Sequence, residues 1–148
     1  MHFKTAAVGA ALAAALIAPV HAQTEIQWWH SMSGPLGEWV NDLAKQYNAS
    51  QKDYKIVPTY KGQYDESMTA AIAAFRAGNA PDILQVFEVG TATMMASKTA
   101  IKPVGEVMNM GGAKFDPSVY VPAVAGYYTA PNGQMLSFPF NSSTTIFY

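Results

Sequence analysis

Between residues 23 and 87 the chain switches four times between two hydrophobic rhythms, and this alternation limits its fold more than any other feature. Residues 23–30 are rich in aromatic and β-branched side chains, and Glu25-Ile26-Gln27-Trp28 alternates polar with apolar, the period of a strand. After the loop at residues 31–34, Pro35 fits the first turn of a helix, where its missing N–H costs nothing. Leu36, Trp39, Val40, Leu43 and Tyr47 then recur at spacings of three and four, which predicts one buried helical face. Asn48-Ala49-Ser50 ends that helix, and residues 54–60 form a second strand, which Pro58 assigns to a sheet edge or a strand end.

The same rhythm repeats. Asp65 opens a helix with a predicted stripe of Met68, Ala71, Ile72 and Phe75, and Gly78-Asn79 supplies the left-handed residue that stops it. The apolar run Ile83-Leu84-Gln85-Val86-Phe87, bounded by turn signals, reads as a strand covered on both faces. Glu88-Val89-Gly90 is then a turn, and residues 91–98 a compact helix. Farther on, Gly111-Gly112 breaks any long helix, residues 119–128 read as a short helical piece, and Pro131-Asn132-Gly133 is a strong turn. Residues 135–140 and 145–148 are expected as strands flanking a polar loop at 141–144. Strand, helix, strand, helix, strand is the pattern of an open α/β sheet, which binds ligands beyond the carboxyl ends of its strands. That rule selects residues 30–34, 60–64 and 87–90.

Residues 1–22 stand apart from this fold. A positive start containing Lys4, a small apolar run at 5–18 and the small residues of Val20-His21-Ala22 give the order of a secretory signal. A stable membrane anchor needs about 20 strongly apolar residues. The reading is therefore a signal peptide at 1–22, with 23–148 the exported part, and no membrane span. Once Lys4 is removed, eight basic residues face ten acidic ones, scattered without a run of one sign. A nucleic-acid partner would call for a basic stripe, and there is none. Cysteine is absent, so no disulfide or thiolate metal site holds the chain. The sequence stops within an apolar stretch without a cap or polar tail, so the chain is expected to be a fragment.

The residues argue for binding over catalysis. The exported part keeps one histidine, His30, and no Gly-x-Ser-x-Gly elbow holds a nucleophile. Zinc sites draw on several His or Cys ligands, and glycoside hydrolysis needs two opposed carboxylates. Glu88 has no obvious partner for that second task, and Asp82 is explained as a polar residue at a strand start. Catalytic residues, metals and cofactors are therefore not expected. By position alone Glu88 is either a carboxylate at the mouth of the sheet, able to accept charge-assisted hydrogen bonds from a polyol, or a solvated loop acid. Tyr64 is either a phenolic donor on an apolar body or a packing aromatic. Asn141-Ser142-Ser143-Thr144 gathers short polar side chains that suit an anion cradle, or a plain turn. Trp28 and Trp29, adjacent on a strand, point to opposite faces. One is expected in the core and the other beside the ligand cleft. Met68 and Met94-Met95 read as core.

Several stretches together resemble the glycerol-3-phosphate-binding periplasmic proteins of ABC importers. These are Trp29-His30-Ser31-Met32 with Gly34 and Leu36-Gly37; the run from Asp53 through Pro58 to Gly62; and Ile72-Ala73-Ala74-Phe75-Arg76 through Gly78-Asn79-Ala80-Pro81. The most diagnostic is Ile83-Leu84-Gln85-Val86 with Glu88-Val89-Gly90-Thr91 and the residues to Lys98, and Pro139-Phe140-Asn141-Ser142-Ser143-Thr144 completes the set. Gly78-Asn79-Ala80-Pro81-Asp82 alone marks only the wider sugar-binding class that includes maltose-binding proteins. The resemblance implies a two-lobed α/β fold of the periplasmic-binding-protein type II, of which this chain is part of the N-terminal lobe. It implies a receptor that is not an enzyme and that delivers sn-glycerol 3-phosphate, and glycerophosphodiesters, to a permease and its ATPase. It carries over three ligand positions: Tyr64, Glu88 and Ser143. Glu88 would take the glycerol hydroxyls, with Ser143 and Tyr64 on the phosphate, since a carboxylate beside phosphate oxygens is repulsive. Two alternatives to that function are a neutral-sugar or maltooligosaccharide receptor and a secreted hydrolase.

Overall fold

The computed structural model describes residues 22–97, 99–141, 146 and 147. Residues 1–21 of the expected signal at 1–22, Lys98, Ser143 and the ends of the expected last strand, Thr145 and Tyr148, lie outside these residues. Three parallel strands form the sheet in the order β2-β1-β3, with β1 at Thr24–His30, β2 at Tyr54–Tyr60 and β3 at Ile83–Leu84. Helix α1, Gly34–Ser50, links β1 to β2, and α2, Tyr64–Arg76, carries the chain back across to β3. The two connections run in opposite directions from the central strand, so right-handed crossovers put α1 and α2 on opposite faces. The direction in which the chain winds through the sheet reverses between β1 and β3, and such a switch point leaves a crevice at the carboxyl edge.

The edge position of β2 is what Pro58 predicts, because a central strand would need the N–H that proline lacks. Two local devices fix the ends of α2. Glu66 accepts the Gln63 N–H at 2.7 Å and so secures the first turn. Gly78, at φ +75°, takes the left-handed conformation that ends the helix.

Burial departs from the predicted stripes. On α1 the buried residues are Gly37, Val40 and Ala44, while Leu36, Trp39 and Tyr47 are exposed. The close seam is made of small residues, which let the helix backbone approach the sheet, and the larger side chains fall to its flanks. On α2, Ser67 and Ala71 are buried, Met68 and Ile72 are half-buried and Phe75 is exposed. Met94 and Met95 are likewise half-buried. Neither tryptophan of β1 is fully buried. Trp28 meets the edge of Phe140 at 5.5 Å between centroids, and Trp39 stacks on the same ring at 5.4 Å. Trp29 instead lies under the Lys61 ammonium, 3.9 Å from its centroid.

Strand β3 is shorter than the apolar run implies, and Ile83 at its start is exposed. Asp82 and Gln85 still bond to β1, through Asp82 N–H to the Gln27 carbonyl and Gln85 N–H to the Trp29 carbonyl. Asp82 also accepts the Gln27 N–H at 2.8 Å, so this acid clamps the strand start. Residues 88–90 are not a turn. They open α3, Glu88–Ala96, because Gly90 is buried against α2, where a Cβ would stand 2.7 Å from the Met68 sulfur. A side chain there would force Met68 and its neighbours Phe87 and Val86 to shift.

Beyond residue 97 the elements are short: α4 at Val104–Met110, a 3-10 turn at Pro117–Val119 and α5 at Pro122–Tyr127. The helical piece expected at 119–128 is thus split, and Pro122 begins its second part. Residues 131–133 turn as expected, with Gly133 N–H bonded to the Ala130 carbonyl. The strand expected at 135–140 reduces to one antiparallel bridge between Thr129 and Met135. Ile146 and Phe147 are exposed and outside any strand.

Candidate functional site

Tyr64 and Glu88 are each the first residue of a helix that follows a strand. Both therefore stand at the carboxyl edge of the sheet, where the alternation rule places a ligand. The Tyr64 ring stacks on Phe87, with centroids 5.4 Å apart and planes 22° from parallel. Phe87 immediately precedes Glu88, so the stack brings the phenol and the carboxylate together. Burial raises the Tyr64 pKa above its ordinary value, the negative charge of Glu88 adds to the rise, and the polar side chain of Asn141 offsets part of it. The phenol is therefore protonated at neutral pH and available as a donor.

Two further tyrosines close on the acid. The Tyr127 hydroxyl donates to the Glu88 backbone carbonyl at 2.8 Å. The Tyr128 pKa is also raised, first by burial, then by Tyr127 and Glu88. The Glu88 side chain itself is exposed. An exposed carboxylate rimmed by phenols is free to accept hydrogen bonds from the hydroxyls of a small solute. Sequence reading missed Tyr127 and Tyr128, because only the fold brings residue 127 to residue 88.

Two amides organise the crevice between β1 and β3. Gln85, nearly buried, accepts the Ser31 N–H through Oε1 at 3.0 Å and donates through Nε2 to Asn141 Oδ1 at 3.3 Å. Asn141 in turn contacts the Met32 sulfur at 3.4 Å. This brings Asn141 to the same edge as Tyr64 and Glu88. Ser143 itself is outside the described residues.

His30 is 3% exposed, and its Nδ1 accepts the Met32 N–H at 3.3 Å. Burial holds its pKa below the ordinary value. It packs against Trp28 and Tyr60 and braces the strand end. Two surface depressions lie apart from the Tyr64–Glu88 pair. One of about 450 Å³ is lined by His30, Gly34 and Tyr60, and one of about 810 Å³ lies between α4 and the 129–135 turn. Among the described residues no group of three His, Cys, Asp or Glu is placed to hold a metal ion, and no helix is long and apolar enough to cross a membrane.

The family profile of bacterial extracellular solute-binding proteins matches residues 33–148. The chain belongs to that family. Among its relatives within this solute-binding family are the sn-glycerol-3-phosphate-binding periplasmic proteins UgpB of Escherichia coli strain K12 and Brucella suis biovar 1 strain 1330. The first is 56% identical over 149 residues, covering 100% of this chain and 33% of the relative. The second is 51% identical over 144 residues, covering 97% and 33%. This chain thus spans about a third of the length of the curated relatives it matches. In structure it is similar to the ABC substrate-binding protein Lmo0181 of Listeria monocytogenes, solved in complex with cycloalternan. That likeness has a TM-score of 0.61 at 20% identity and covers 76% of this chain and 28% of the other. It shows the fold: an α/β architecture with a parallel sheet, shared with ABC substrate-binding proteins.

Proposed function

We propose that this chain is part of a periplasmic receptor for sn-glycerol 3-phosphate, in which residues 1–22 direct export and residues 23–148 build part of the N-terminal lobe. The receptor hands its ligand to the permease and ATPase of an ABC importer and carries out no chemistry of its own. The observation that carries this reading is the pairing of Tyr64 with Glu88 at the carboxyl edge of the sheet, in a chain so similar to the named relatives. Glu88 takes the glycerol hydroxyls. Tyr64, a protonated phenol, donates to the phosphate, and Ser143 adds its hydroxyl there. The division follows from charge, since Glu88 would repel phosphate oxygens. Glycerophosphodiesters share both halves of this chemistry and are expected to bind as well.

The test is a calorimetric titration of the protein at the full length of its relatives with sn-glycerol 3-phosphate, maltose and inorganic phosphate. Saturable binding of the glycerol ester alone is expected, and heat with maltose but not with the ester would discard the assignment. Glu88→Gln is expected to weaken binding by at least about 1.5 kcal/mol, the lower range for a hydrogen bond to a charged group. Wild-type affinity in that variant removes Glu88 from the site.

A further inference from the structure

A phosphate monoester carries about 1.5 to 2 negative charges near neutral pH, and Glu88 stands at the same edge of the sheet. Tyr64 and Ser143 offer hydrogen bonds there but no positive charge. Within the three carboxyl-edge loops at 30–34, 60–64 and 87–90, Lys61 is the only Lys or Arg. Its backbone N–H donates to the His30 carbonyl at 2.9 Å, which pins it to the end of the central strand. Tyr64 follows three residues later, so the two Cα atoms are no more than about 11 Å apart. The Lys61 ammonium lies 3.9 Å from the centre of the Trp29 ring, and both residues are half-buried. Among the described residues no carboxylate is within ion-pair distance of that ammonium. Glu66, at the start of α2, is engaged with the Gln63 N–H. Lys55 offers the contrast: it sits at the amino end of β2 and is paired with Glu25 at 2.9 Å.

We propose that Lys61, held on the face of Trp29, supplies the positive charge with which this lobe meets the phosphate of the ligand. The inference rests on the reading of the ligand as a phosphate ester, and it makes Lys61 the residue that selects an anionic solute over a neutral one. An indole face attracts a cation without neutralising it. The ring therefore restrains a side chain that would otherwise lose much rotamer freedom on binding. It also leaves ammonium N–H groups for the phosphate oxygens, as charge-assisted hydrogen bonds. A carboxylate in the place of Trp29 would cancel the charge and compete with the ligand. The same cation offsets the repulsion between Glu88 and the phosphate, so that one edge of the sheet can hold both ends of the solute.

The test uses the protein at the full length of its relatives and reads the dissociation constant for sn-glycerol 3-phosphate by calorimetry at two salt concentrations. Lys61→Met keeps an apolar stem on Trp29 and removes the charge. At about 0.01 M salt, where the Debye length is about 30 Å, it is expected to weaken binding at least about 10-fold, the scale of a hydrogen bond to a charged group. At about 1 M salt, where that length is about 3 Å, the loss is expected to shrink. Lys61→Arg, which restores the charge, is expected to recover most of the affinity. Trp29→Leu is expected to weaken binding by about 2- to 5-fold, the range of an exposed cation–π contact, and to add nothing to Lys61→Met. Wild-type affinity in Lys61→Met overturns the proposal and leaves the phosphate-ester reading standing. A loss that is the same at both salt concentrations and is not relieved in Lys61→Arg marks a packing role and overturns it too. Equal losses from Trp29→Leu in both backgrounds overturn the part given to Trp29. A wild-type protein that does not bind the ester overturns the ligand reading and this inference with it. If Lys61→Met does not fold, Lys61→Gln takes its place under the same outcomes.

Discussion

The sheet with α1 and α2 and the segment beyond residue 97 are built by different rules. In the first, helices of 17 and 13 residues pack on strands that pair over their full length, and Val40 is wholly buried. In the second, helices of seven and six residues contain no buried position, and Met110, Val119 and Val121 are each at least 66% exposed. The first region generates its own core. The second lies along it through single contacts, such as Tyr127 to the Glu88 carbonyl and Phe140 between Trp28 and Trp39. Stability is expected to reside in one region while the site draws on both.

The largest effect that would sharpen this contrast is Val40→Ala. Removing two buried carbons from a fully enclosed side chain is expected to cost about 2–3 kcal/mol from the lost transfer energy and the cavity left behind. Urea unfolding measures it, and a loss below half a kilocalorie would mean that the α1 seam is not the core. A smaller effect belongs to pH. The His30 pKa is depressed by burial, so below its ordinary value near 6.5 the unfolded chain takes up a proton that the folded chain refuses. Stability is therefore expected to fall as the solution is acidified from about pH 7 to 5, and to fall less in His30→Gln. Equal slopes in thermal melts of the two proteins would remove His30 from the acid response. The smallest effect lies in the other region. Val119→Ser, at a position 74% exposed, is expected to change stability by no more than about 0.5 kcal/mol. A large loss there would break the comparison, because it would reveal a core where the structure shows surface.

The same contrast explains what was legible in the sequence. Strand β2 was readable from its residues and from Pro58, and the stop of α2 was readable from Gly78, because local backbone chemistry decides both. The two tryptophans and the α1 stripe misled, since periodicity assigns a face but not how much of that face is covered. Val40 lay on the predicted stripe; Gly37 and Ala44 make the seam because they are small. Glu88-Val89-Gly90 looked like a turn, since the tight packing of Gly90 against Met68 on another helix has no local signature. The placement of Tyr64 and Glu88 at the carboxyl edge of the sheet was legible from their positions after predicted strands. The bond between Gln85 and Asn141, 56 residues apart, has no local signature at all.

Pro58 has one more consequence. It sits within β2, one of the two edge strands of the sheet among the described residues, opposite Trp28. A strand arriving from another molecule would need an unbroken row of donors and acceptors to zip onto that rim, and proline leaves a gap in the row of donors. The rim of the sheet is thus a terminus and not a template, and copies of this protein held at high concentration are guarded from joining edge to edge at β2.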